Sequence, residues 1–167
     1  MIELLLLVGL SYYLIRYKPS LESRLHELVE MSDPQIAEKL NIVSTTQVVD
    51  LMKSLKYIPD TGDSTQTPEE TVQIGGGDCE DLSVLSYSLL DYLGLNPGIA
   101  IAYSPDDPEA HAFTFFYCES CGEYYIFSNN EVFKTDSIEE ASSMLGYDYV
   151  IYTPTNNKNR EVSIWVI

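Results

Sequence analysis

Gly75-Gly76-Gly77-Asp78-Cys79-Glu80-Asp81 decides the reading of this 167-residue chain. A glycine run lets the backbone turn tightly and approach a substrate, and Asp78 can accept a hydrogen bond from an unpaired N–H of the helical turn that follows. Cys79 then opens that helix. Leu82, Leu85, Leu89 and Leu93 come next, at a spacing that keeps one stripe on a core, so burial would hold the helix and its sulfur in place. The dipole and unpaired N–H groups of such an end favour an anion, which predicts a lowered thiol pKa and more of the reactive thiolate. The plainer reading of a lone cysteine is a small buried hydrophobe. Glu80 and Asp81 would themselves oppose thiolate, so they are expected to point away from the sulfur, with Asp81 as the reciprocal partner in a capping box.

Upstream of this turn, Pro59 to Pro68 is rich in Asp, Gly, Ser and Thr and reads as a loop. From Ser20 to about Tyr57 the pattern is helical, with Leu21, Leu25, Leu28 and Val29 in one segment and Ile36, Leu40, Val48 and Met52 later; Asp33-Pro34 marks a helix start. His26 falls among charged residues and reads as exposed. Downstream, Gly94 and Asn96-Pro97-Gly98 end the cysteine helix. The runs Ile99 to Tyr103, His111 to Tyr117, Tyr124 to Phe127, Tyr147 to Tyr152 and Val162 to Ile167 are strand-like, with a short helical candidate at Ser137 to Leu145. Helices, then a cysteine helix, then a mainly antiparallel sheet make an α+β layout.

A formal charge of −17, with nine Lys and Arg, disfavours non-specific binding to nucleic acid phosphates or anionic headgroups. A hydrophobic fraction of 45% and thirteen tyrosines argue for a folded chain. Residues 2–15 are apolar apart from Glu3 and precede Arg16 and Lys18. This predicts a single-pass membrane anchor at 1–18, a helical region at 19–57 and the main domain at 58–167. The run is shorter than the about 20 residues of a typical span. A cleaved signal would want positive charge before the run and a small-x-small site after it, and the run has neither; a helix embedded in a larger assembly is the third reading.

Cys118 and Cys121 form one C-x-x-C, and a structural zinc would need two further ligands at a recognisable spacing. The pair lies between strand-like runs, on a hairpin turn, where a local disulfide or a redox dithiol are both open. His111 heads the row His111, Phe113 and Phe115, which strand alternation puts on one face, and there it is expected to overhang the cysteine helix. Imidazole can take a thiol proton and return it to a leaving amine near neutral pH. The alternative is a partly buried histidine bonded to backbone.

Pro68-Glu69-Glu70-Thr71, Gly76-Gly77-Asp78-Cys79-Glu80-Asp81, the Leu-rich helix ending in Gly94, His111-Ala112-Phe113 and Tyr124-Tyr125-Ile126-Phe127 appear in order. Together they resemble the transglutaminase-like cysteine peptidase superfamily, a branch of the papain-like thiol enzymes, over roughly Tyr57 to Asn130. The resemblance implies a central helix that carries the nucleophile and packs on an antiparallel sheet. It implies Cys79 as nucleophile and His111 as general base and acid. The family's aspartate falls here on Ser128, and Asn129, one position on, is expected to orient the imidazole as asparagine does in Cys-His-Asn enzymes. Gln73, six positions before Cys79, is the candidate for stabilising an oxyanion beside the Cys79 N–H. The activity implied is amide cleavage of a peptide or protein substrate, favoured over acyl transfer, with no metal or organic cofactor. An inactive binding or structural component of a membrane-associated assembly is the alternative.

Overall fold

The computed structural model describes residues 20–59, 64–153 and 163–166. Helix α1 covers 20–30, followed by α2 (Gln35–Lys39), α3 (Thr45–Ser54), β1 (Lys56–Tyr57), α4 (Pro68–Ile74), β2 (Gly76–Gly77) and α5 (Cys79–Tyr92). Then come β3 (Gly98–Tyr103), β4 (His111–Cys118), β5 (Glu123–Ser128), β6 (Glu131–Thr135), α6 (Ile138–Met144), β7 (Tyr149–Tyr152) and β8 (Ser163–Val166). The last six strands form an antiparallel sheet in the order β6-β5-β4-β3-β7-β8. Strand β6 was not foreseen from the sequence. Its Glu131-Val132-Phe133-Lys134-Thr135 lacks a long β-branched run and gains its pairing from β5 through the tight turn at Asn129, whose φ of 53° is left-handed.

Alternation along the strands builds two cores. Ile99, Ile101 and Ala112 pack with Leu25 and Leu28 of α1 and Val84 and Tyr87 of α5, while Phe116 joins Leu82, Leu85, Leu89, Met52 and Ile36. The opposite face, with Ala100, Ala102, Phe113 and Phe115, is closed by Ile138 and Ala141 of α6. Because both faces are covered, β3 is buried at every residue. Helix α5 lies centrally against β4, and the buried Thr114 hydroxyl donates to the carbonyl of Ser83 at 2.8 Å.

The glycine run does more than turn. Gly76–Gly77 pairs in parallel with Lys56–Tyr57, and the amides of Lys56 and Ile58 donate to the carbonyls of Gly75 and Gly77 at 3.0 and 2.8 Å. A Cβ on Gly76 would collide with the Lys56 carbonyl, and one on Gly77 with the Asp81 side chain. Gly75, at φ +80°, caps α4 in the left-handed region.

The expected single-pass localisation is not supported by the described structure. Among the described residues no helix is long and apolar enough to cross a membrane. The segment 1–18 itself lies outside the described residues, and the single-pass localisation drawn from it is withdrawn.

Candidate active site

The site is built where α5 starts. Asp78 Oδ1 accepts from the amides of Glu80 (2.9 Å) and Asp81 (3.1 Å), and Asp81 Oδ2 accepts from the Asp78 amide at 3.0 Å. This is a reciprocal capping box. Asp81 is fully buried, and its other oxygen accepts from the Gln66 amide at 2.6 Å, which ties the loop before α4 to the helix start. Asp81 is thus turned inward, as its place in the capping box requires.

Cys79 is the free cysteine among the described residues. Burial pushes its thiol up to about 11; the nearby backbone N–H of Ala112 pulls the other way, and Asp78 and Glu80 raise it further. The lowered pKa expected from the helix end is therefore overturned, because loss of water outweighs the dipole at a sulfur packed against the α1 and β4 core.

His111 is placed differently from the expectation too. Its row on β4 faces α6, not α5, and it is Ala112, Thr114 and Phe116 that face the cysteine helix. His111 stands at the head of the strand, and the backbone of the next residue, Ala112, approaches the sulfur. Its ring stacks on Tyr147, with centroids 6.0 Å apart and planes 6° apart. The Tyr147 phenol in turn feels the charge of Cys79. Nε2 of His111 lies 2.8 Å from the Ser128 hydroxyl. Burial holds the imidazole down at about 4, so the resting pair at neutral pH is an uncharged thiol and an uncharged ring.

Asn129 does not take the orienting place. Its Oδ1 is buried without a hydrogen-bond partner, and it lines a cavity of about 320 Å³ with His111, Ser128, Glu131 and Tyr147. Gln73 is exposed on α4. Gln66, which sequence reasoning passed over, is the glutamine bonded into the capping network, and its Oε1 is buried and unpartnered. Tyr147 also escaped as a site residue: the sequence marks it only as the first residue of a strand-like run, whereas the strand itself begins at Tyr149. A larger groove of about 700 Å³, lined in part by Val49, Leu95, Phe116 and Tyr125, lies at the β4–β5 hairpin, away from Cys79 and His111. On that hairpin Cys118 and Cys121 are joined in a disulfide. Among the described residues no three His, Cys, Asp or Glu converge as a metal site would.

A cysteine at the start of a central helix, packed on an antiparallel sheet with histidine at the head of the neighbouring strand, is the α+β arrangement that the resemblance to transglutaminase-like cysteine peptidases implies. Among solved structures, the chain is similar to calcium-bound LapG of Legionella pneumophila, at 24% identity over 72% of this chain and 65% of that one, with a TM-score of 0.49. It is also similar to a candidate cysteine protease of Cytophaga hutchinsonii, at 16% identity over 87% of this chain and 52% of that one, with a TM-score of 0.43. The chain therefore spans just under two thirds of LapG and about half of the second protein. No protein-family model and no curated protein matches it.

Proposed function

We propose that the chain is a transglutaminase-like thiol peptidase that cleaves a peptide or isopeptide bond, with Cys79 as nucleophile and His111 as general base and acid. The observation that supports the reading is a free thiol at a helix start, approached by the backbone of Ala112, the residue next to a histidine bonded to Ser128. With Nε2–H donated to Ser128, Nδ1 is the nitrogen that takes the thiol proton. The sulfur attacks the carbonyl carbon as the proton moves, the Cys79 N–H donates to the oxyanion, and the imidazolium gives its proton to the departing amine nitrogen. The resulting acyl-thioester is hydrolysed by a water that His111 deprotonates, which restores the thiol.

A resting pair without charge means that proton transfer and attack are coupled, in contrast to an enzyme with a preformed thiolate. The same observation, with a hydroxyl where an acid would stand, favours a second reading: a catalytically idle domain that binds peptides. Mass spectrometry after incubation with a peptide and isopeptide mixture separates the two. An acyl adduct on Cys79 in the parent, lost in His111→Ala, supports the peptidase; binding without adduct or cleavage supports the idle domain.

A further inference from the structure

Arg24 lies on α1, outside the region that resembles the peptidase family, yet it closes on the residue next to the nucleophile. Its Nε donates to Glu80 Oε1 at 2.9 Å and its Nη2 donates to Glu80 Oε2. Thr65 joins them, accepting from Nη2 at 2.6 Å and donating to Glu80 Oε2 at 3.1 Å. The fork is partly shielded from solvent, because Leu25 and Leu28 on the same helix are fully buried against α5 and β4. A two-pronged guanidinium–carboxylate pair fixes direction as well as charge.

The charged and titratable groups shown acting with the thiol are Asp78 at the cap and Glu80 on its own helix, Tyr57 from β1 and Tyr147 from the segment before β7, while His111 lies one residue from Ala112 on β4. Of these, Glu80 alone is shown gripped by a cation, and it directly follows Cys79. We propose that Arg24 is a positioning residue for the nucleophile: by closing on Glu80 it turns that carboxylate away from the sulfur and offsets its charge, so that helix α1 governs how readily Cys79 ionises. The inference rests on the reading of Cys79 as the nucleophile, but it concerns the thiol itself. Glu27, which accepts from Arg24 Nη1 at 2.7 Å, is exposed and shares the cation only at its outer edge.

Iodoacetamide alkylation of the full chain reads Cys79 among the described cysteines, since Cys118 and Cys121 are paired. Rate against pH is measured for the parent, Arg24→Gln, Glu80→Gln and the double variant. Arg24→Gln, which leaves the carboxylate bare, is expected to react on the order of threefold to tenfold more slowly at pH 8, tenfold being one pKa unit. Glu80→Gln, which leaves the cation bare, is expected to react faster by a similar factor, and the double variant to return near the parent. A clamp with a purely structural role would shift both single variants the same way, and that result, or no shift in either, overturns the proposal. Should Arg24→Gln fail to fold, Glu80→Gln against the double variant decides: the pair is already gone in both, and only an acting cation makes the double slower. Loss of cleavage in His111→Ala tests the peptidase reading separately, so either idea can fall while the other stands.

Discussion

The His111 imidazole is held by the Ser128 hydroxyl, with Nε2 and Oγ 2.8 Å apart at the ends of adjacent strands β4 and β5. A hydroxyl can fix the ring's direction, but it carries no charge to stabilise an imidazolium, and burial therefore holds the ring at about 4. Ser128→Asp supplies that charge. The expected outcome is an imidazole pKa raised toward the ordinary range and peptidase activity at pH 7 increased by about tenfold or more. Ser128→Ala, which leaves the ring unoriented, is expected to lower activity. NMR titration of the ring and kcat/KM for the variants check both.

The thiol's ionisation should be alkaline. With burial pushing Cys79 to about 11, alkylation of the parent is expected to climb through pH 9 to 11, above the ordinary cysteine value of about 8.5. A midpoint below 8 would mean that water or the Ala112 amide stabilises the thiolate far better than the geometry suggests.

Acid should weaken the fold through His111. Its folded pKa is depressed to about 4 from 6.5, so the unfolded chain binds the proton first as pH falls. The contribution is fully present above about 6.5 and is lost progressively down to about 4, a change on the order of 3 kcal/mol. Urea denaturation at pH 7.5 and pH 4.5 is expected to show a larger fall for the parent than for His111→Gln, which has no proton to gain.

Gly76→Ala tests the two-stranded β1–β2 pair. A methyl there meets the Lys56 carbonyl, which is main chain and cannot swing aside, so a loss of about 2–4 kcal/mol is expected. Gly122→Ala, where nothing lies within contact of the added carbon but φ is +73°, should cost only about 1 kcal/mol. Thermal melts of the two variants give the ordering directly.

The parts of the fold that were legible in the sequence are those governed by local chemistry. Asp78 and Asp81 announce a cap, Leu82 to Leu89 a buried helix face, and Ile99 to Tyr103 a strand, because each depends on neighbours a few residues away. What escaped depends on distant partners. Gly76–Gly77 has no strand propensity and becomes one only through Lys56–Tyr57. The Arg24–Glu80 pair spans 56 positions. The direction of the thiol pKa was misjudged for the same reason: the helix end is visible in sequence, whereas the covering by α1 and β4 is not. The face of His111 was misassigned because alternation tells which residues share a side and is silent on which layer that side meets.

Thr114 and Ser83 share a hydrogen bond one helical turn beyond Cys79 and three residues along the strand from His111. That bond works like the pivot of a pair of calipers: it fixes the sliding of helix against strand in the interior, so the gap at the tips is inherited from the pivot. The rim segment at 104–110, which carries none of the bonds that hold the start of α5, can then change in composition without altering that gap. Selection on what the protein grips can proceed at the rim while Cys79 and the head of β4 stay in register, and the two properties become separately evolvable.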